Sequence, residues 1–195
     1  MKFRVINTGK SKLTYKIIND DDIKKIVDDI VVDIQTKLKE KPEIKIFGKI
    51  CHQQRDVGFF SNVSKGYKYS GQIMASQPLT DKMDQIIRHV NKCYKTNYNS
   101  ILINKYNDGR DYISKHSDDE TGLEKSGVVG ISYGAVRTFR IRKKDTNEIQ
   151  ANISLQPYSM VQMAGDFQKE FTHEIPIEKQ VKNSRISFTF RHHIW

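Results

Sequence analysis

Three short stretches of this 195-residue chain carry side chains that could do chemistry together. His116-Ser117-Asp118 sets an imidazole and a carboxylate two residues apart, so on extended backbone both point to one face and can reach one ion. A second imidazole stands downstream in His173-Glu174-Ile175-Pro176. Arg185-Ile186-Ser187-Phe188-Thr189-Phe190-Arg191 alternates, with Arg185, Ser187, Thr189 and Arg191 on one face and Ile186, Phe188 and Phe190 on the other. These residue types suit a metal ion beside a bound anion. Guanidinium forks match carboxylates in geometry, and arginines that point into a core need such a partner. The same alternation also fits an edge strand whose charged face meets water.

Single motifs decide little here. With six histidines and 15 aspartates in the chain, about half of one His-x-Asp pair is expected by chance. His173 taken alone reads more readily as an ordinary exposed or hydrogen-bonded histidine than as a ligand. Two imidazoles and a carboxylate on one side of an ion leave its other positions open, the arrangement of non-haem iron oxygenases. Zinc hydrolases use a similar donor set, so the three residues leave the metal open.

Composition narrows the setting. The formal net charge is +10 and the pI about 9.5, which points to a polyanionic partner, most often nucleic acid. Lysine placed wherever solvent allows is the bland alternative. Cys51 and Cys93 are the only cysteines, without Cys-x-x-Cys spacing, which disfavours a disulfide framework or structural zinc and favours a reducing interior. The first ten residues lack the apolar core of a secretion signal, and no run approaches the roughly 18 apolar residues of a membrane span. A soluble, intracellular monomer is the expectation.

The elements that must position these groups read as helices first, then strands. Apolar residues at Ile23, Ile26, Val27, Ile30, Val31, Ile34 and Leu38 predict a helix over 20–40, with acidic residues in its first turn. Met83, Ile86, Ile87, Val90 and Tyr94 predict a second over 80–94, capped by Thr80. Short alternating runs at 44–47 and 67–70 suit strands. Further strands follow over 100–106, 128–133, 136–142, 149–155, 158–163 and 185–193, separated by turns such as Asn107-Asp108-Gly109 and Ala164-Gly165-Asp166. The fold class is α+β: a mainly antiparallel double-sheet jelly roll, or double-stranded β-helix, with the N-terminal helices packed on one sheet. One domain is expected, comprising a loosely held arm over 1–18, a nucleotide-recognition region over 44–98 and a catalytic core over 99–195.

The motifs in order resemble the AlkB family of Fe(II)- and 2-oxoglutarate-dependent nucleic-acid dioxygenases, especially its eukaryotic duplex-DNA repair branch. Asn104-Lys105-Tyr106-Asn107-Asp108-Gly109 is similar to the family's Asn-x-Tyr strand and turn, His116-Ser117-Asp118 to its His-x-Asp segment, and His173 to its distal histidine. The strand from Arg185 to Arg191 is similar to its Arg-x-Asn-x-Thr-x-Arg strand. The resemblance implies Fe(II) on His116, Asp118 and His173. It also implies 2-oxoglutarate held by Arg185 with Asn104 and Tyr106, and Arg191 near the metal-chelating end. Ser187 departs from the family asparagine, offering a shorter reach for the co-substrate.

Substrate contacts follow from the same resemblance. Tyr67, Tyr69 and Ser70 correspond to the segment lining a base pocket, with Tyr69 as aromatic platform facing His116. Glu120 and Arg137 fall at other pocket positions, and Phe47 at the place of an apolar wedge that fills the gap left by a flipped base. The implied reaction consumes O2 and 2-oxoglutarate and removes N-alkyl groups, as in 1-methyladenine or 3-methylcytosine, releasing formaldehyde. The implied partner is alkylated DNA, with RNA an alternative. A protein or small-molecule hydroxylase and a basic nucleic-acid-binding module are the other readings.

Overall fold

The structure is a computed structural model. It describes residues 2–46, 48–69, 72–118 and 126–193, of which 2–4, 46, 68 and 69 are described by their backbone. Two strands open the chain, β1 (Lys2–Asn7) and β2 (Ser11–Ile17), followed by helix α1 (Asp21–Asp33). Short strands β3 (Glu43–Ile46), β4 (Lys49–His52), β5 (Asp56–Ser61), β6 (Gly66–Tyr69) and β7 (Gln72–Ala75) lead to helix α2 (Asp81–Tyr94). Then come β8 (Ser100–Tyr106), β9 (Ile113–His116), β10 (Val128–Gly134), β11 (Arg137–Lys143), β12 (Ile149–Leu155) and β13 (Ser159–Gly165). A single-turn helix α3 (Phe167–Glu170), β14 (Phe171–Ile175) and β15 (Arg185–Arg191) complete it.

A seven-stranded sheet runs β1-β2-β13-β10-β15-β8-β5 and a four-stranded sheet β12-β11-β14-β9. The hairpins β3-β4 and β6-β7 stand as separate two-stranded sheets. Leu13, Tyr106, Val128, Val161 and Met163 of the larger sheet share one core with Phe139, Ile141, Phe171 and Ile175 of the smaller. The result is an antiparallel jelly roll, with the cavity between its sheets. On the other face of the larger sheet, Val27 and Ile30 of α1 and Met83, Ile86 and Val90 of α2 pack on Ile101, Ile103 and Phe188. Burying each such aliphatic side chain contributes about 2 kcal/mol. Asp20 caps α1 by accepting from the backbone N–H groups of Asp22 and Ile23, and Thr80 caps α2 by accepting from Met83.

The structure departs from the sequence-based reading in three places. Residues 2–17 are no loose arm: β2 pairs along its length with β13, and Leu13 is fully buried. Helix α1 ends at Asp33, not near 40, yet Ile34 and Leu38 still face inward as the chain turns. Leu38 occupies space freed by Gly58, since a Cβ on that glycine would stand 2.8 Å from Leu38 Cδ2. Strands β4, β5, β7, β9 and β14 complete sheets that alternation alone does not reveal. No helix among the described residues is long and apolar enough to cross a membrane.

A candidate metal centre and its cavity

The centre is assembled where β9 meets β14. Their register sets His116 beside His173, with the rings 4.3 Å apart. Asp118, just past β9, turns its carboxylate toward both: Oδ1 lies 3.9 Å from His116 Nε2 and Oδ2 3.6 Å from His173 Nε2. The three donor atoms lie within 4.8 Å of one another, the one such cluster of metal-ligating side chains among the described residues. Local bonds fix this geometry. The Asp118 backbone N–H donates to Gln168 Oε1 at 2.9 Å, and the Ser117 hydroxyl donates to the Phe171 carbonyl at 2.9 Å. His116 Nδ1 lies 2.8 Å from the Ser114 carbonyl, which accepts when the proton sits on Nδ1 and so leaves the Nε2 lone pair facing Asp118.

Electrostatics keep these groups in ligating form. Burial lowers the pKa of His116 and, with the nearby His116, pushes His173 down to about 3, so both imidazoles stay neutral. Burial opposes ionisation of Asp118, but Arg191, then His173 and His116, outweigh it and hold the carboxyl below its ordinary value.

The opposite wall belongs to β15. It runs between β10 and β8 in the middle of the larger sheet, so the edge-strand alternative falls. Ile186, Phe188 and Phe190 face the helices, while Arg185, Ser187, Thr189 and Arg191 face the cavity. Pairing with β8 sets Arg185 opposite Tyr106 and Ser187 opposite Asn104. Arg185 is 3% exposed; its Nη2 donates to Ser132 Oγ at 2.9 Å and its guanidinium lies 5.3 Å from the Tyr106 ring. Its Nε and Nη1 are buried without a hydrogen-bond partner. Arg191 lies 5.1 Å over the Tyr67 ring, with Nη2 3.5 Å from Asp118 Oδ1. One cavity therefore joins His116, Asp118 and His173 to Asn104, Tyr106, Arg185, Ser187 and Arg191.

Comparison with known proteins agrees with this geometry. The profile of the 2OG-Fe(II) oxygenase superfamily matches residues 19–191. The chain belongs to that superfamily. Within it the chain is similar to human DNA oxidative demethylase ALKBH2, 29% identical over 156 residues, covering 76% of this chain and 60% of the relative. It is also similar to mouse alpha-ketoglutarate-dependent dioxygenase alkB homolog 3, 35% identical over 103 residues, or 48% of this chain and 36% of the relative. A solved structure of OsALKBH1 shares the fold at TM-score 0.58 and 15% identity, covering 93% of this chain and 96% of that one. Membership of the AlkB family, expected from the ordered motifs, is borne out. The chain spans about three fifths of the length of the ALKBH2 relatives it matches.

The residues fit the cofactors of this superfamily, Fe(II) and 2-oxoglutarate with dioxygen. Two nitrogens and one oxygen converge as a ferrous ion requires, with the cavity side of the cluster open. The unpartnered N–H groups of Arg185 are what a carboxylate would satisfy. Arg55, Arg185 and Arg191 outnumber the single lining carboxylate, Asp118, by two positive charges before a ferrous ion adds its own, and a dianion would offset part of that excess.

The substrate residues divide. Tyr67 is buried, lines the cavity and stacks on Phe59 with ring centroids 5.5 Å apart. Phe47, Ser70 and Glu120 lie outside the described residues, as does the side chain of Tyr69, whose backbone ends β6. Arg137 is placed elsewhere than the resemblance implies. Its guanidinium, 1% exposed, donates to Glu178 Oε2 and to the carbonyls of Asp108, Asp111 and Pro176, and it lines no part of the cavity. It clamps the loop before β9 to the loop after β14. Arg55 is a lining residue that the motifs do not single out; its Nε donates to Asn104 Oδ1 at 2.8 Å. An arginine heading the apolar run Val57–Phe60 is the signal that could have found it.

Proposed function

We propose that this chain is an Fe(II)- and 2-oxoglutarate-dependent dioxygenase that repairs N-alkylated bases in DNA by oxidative demethylation. The observation that carries this reading is that the metal-ligating cluster and the partly unpartnered guanidinium of Arg185 face one cavity. His116, Asp118 and His173 would hold the metal. Arg185, with Tyr106 behind it and Asn104 beside it, would receive the distal carboxylate of 2-oxoglutarate, and Ser187 and Arg191 would flank its metal-chelating end. When bound, the iron would let dioxygen act as the oxidant, with 2-oxoglutarate oxidised to succinate and carbon dioxide and the N-alkyl carbon oxidised and released as an aldehyde.

The protein's own part is positioning. The Ser114 carbonyl would hold the proton on His116 Nδ1 and so turn the Nε2 lone pair toward the ion. Residues 44–98 would recognise the nucleotide, with Tyr67 and Tyr69 against the base, and residues 99–195 would form the catalytic core. DNA is favoured by the similarity to proteins named DNA oxidative demethylases and by the +10 net charge. In this reading the enzyme is an intracellular monomer.

Anaerobic incubation with Fe(II), 2-oxoglutarate and oligonucleotides bearing 1-methyladenine or 3-methylcytosine, followed by admission of oxygen, tests it. Formaldehyde and succinate should appear in step with loss of the methyl mark on DNA. Succinate without demethylation of any DNA would sink the DNA-repair reading, and parallel RNA oligonucleotides would show where the activity lies instead.

A further inference from the structure

A second cavity of about 290 Å³ lies beside the first, between the hairpins β3-β4 and β6-β7. Arg55, Tyr67 and Leu102 line both, so the two are divided by a wall about one side chain thick. Val57, Met74 and Leu102 supply apolar surface, Tyr67 an aromatic ring, and Lys39 and Arg55 two cations against the single carboxylate of Glu43. Its unusual element is Gln53. That side chain is 6% exposed and lines the cavity, and its Oε1 is buried without a hydrogen-bond partner. A buried acceptor left without a donor is costly, and the fold gives this one nothing to bond.

The lining describes a ligand with a flat, largely apolar face, an edge offering a donor beside an acceptor, and a negative charge nearby. A nucleobase on its phosphate backbone meets all three requirements. Glutamine amides pair with base edges through one N–H and one carbonyl, and apolar and aromatic walls suit the base faces. A strand delivering one base to the metal cavity brings its neighbours to within one side chain of that place.

We propose that the second cavity holds an unmodified base of the same strand, adjacent to the base being demethylated, and that Gln53 reads its edge. The proposal rests on the nucleic-acid reading above and adds a specificity-determining residue to it. Neighbouring sequence, and not the lesion alone, then sets affinity.

The test is binding of the full chain, by fluorescence anisotropy, to methylated single-stranded oligonucleotides whose neighbouring bases are replaced one at a time by abasic sites. One neighbour's removal should weaken binding roughly tenfold. Gln53→Leu should bind the intact oligonucleotide at that weakened level and be indifferent to the abasic substitution. Its thermal midpoint should not fall, because the change removes a buried carbonyl oxygen that has no partner. Equal wild-type binding to all the oligonucleotides overturns the proposal, and the wild-type series decides this even if the variant does not fold. A Gln53→Leu protein that keeps the tenfold preference also overturns it. Base-dependent binding without formaldehyde release would overturn the demethylase reading and leave the second base site standing. Formaldehyde release with binding indifferent to neighbours would do the reverse.

Discussion

The two ends of this molecule are built to different standards of rigidity. The metal end rests on strands joined into the two main sheets: β15 is paired on both sides, His173 stands on β14 inside the smaller sheet, and β9, the edge strand of that sheet, is tied to β14 and α3 around the ligands. The end proposed for recognition is two hairpins, each a two-stranded sheet of four-residue strands with exposed residues such as Ile50 and Ile73. The first hairpin is held at its base by the pairing of Lys39 with Val57 and by the ion pair of Lys41 with Asp111. Isolated hairpins are marginal in water, whereas central strands open only with the whole fold. Chemistry that depends on sub-ångström placement belongs on the first kind of scaffold. Admission of a bulky polymer belongs on the second.

The largest effect that would test this contrast comes from the ligands. His173→Ala should reduce turnover by more than the roughly 100-fold that losing a supporting residue costs, because it removes a ligand outright. Ferrous-ion titration of the variant should show the same loss. Oligonucleotide binding should stay within about twofold of wild type, since the hairpins do not depend on the ion. Loss of polymer binding in parallel would mean that the two ends are one cooperative unit.

Next in size is Arg137→Met. Breaking a buried pair costs about 3–5 kcal/mol, and the low end applies because Glu178 keeps 18% of its side chain exposed. The loss should appear as a lower thermal midpoint, with activity per folded molecule nearly unchanged at low temperature. A substrate-contacting Arg137 would give the opposite pattern, a raised KM for the oligonucleotide at unchanged stability.

Arg137 also marks the boundary of what the sequence discloses. β15 is legible because it is buried on both sides by different chemistry, aliphatic and aromatic toward the helices and basic toward the cavity. Strand β5 shows no such alternation, since all six of its residues are buried, and Gly58 within it leaves room for Leu38 and for the ring of Phe60. In β2, Leu13, Tyr15 and Ile17 alternate with Lys12, Thr14 and Lys16, a weak signal among lysines that is easily taken for an arm, and burial follows it only in part, since Thr14 is buried and Ile17 exposed. Arg137 carries no local signal at all: its partners are 26 to 41 residues away. The metal triad and the co-substrate arginines were readable as an ordered set. Arg55 and Gln53, which line the cavities, were not, because their meaning depends on which strands stand beside them.

Arg185→Leu should act at the co-substrate. A carboxylate deprived of a guanidinium loses about 2–3 kcal/mol, so the KM for 2-oxoglutarate should rise roughly a hundredfold. The unliganded variant should melt no lower than wild type, because two of the displaced N–H groups had no partner. Stabilisation of the fold by added 2-oxoglutarate should largely vanish. A wild-type-like thermal shift would place the dicarboxylate elsewhere in the cavity.

The smallest effect addresses the hairpin base. Lys41 sits at positive φ (34°), its Nζ is 2.9 Å from Asp111 Oδ1, and its backbone N–H donates to Asp56 at 3.3 Å. Asp111 in turn accepts from the Asn107 backbone N–H in the turn after β8, so one ion pair links the recognition hairpin to the loop leading to His116. Asp111 is buried but Lys41 is 39% exposed, and solvent screening keeps the pair near the modest end, about 1 kcal/mol. Lys41→Met should therefore lower global stability only slightly. Its mark should instead be faster amide exchange in residues 43–52, with exchange in β15 unchanged. Equal acceleration in both would show that the hairpin and the central strands share one opening transition, and the division of labour between them would not stand.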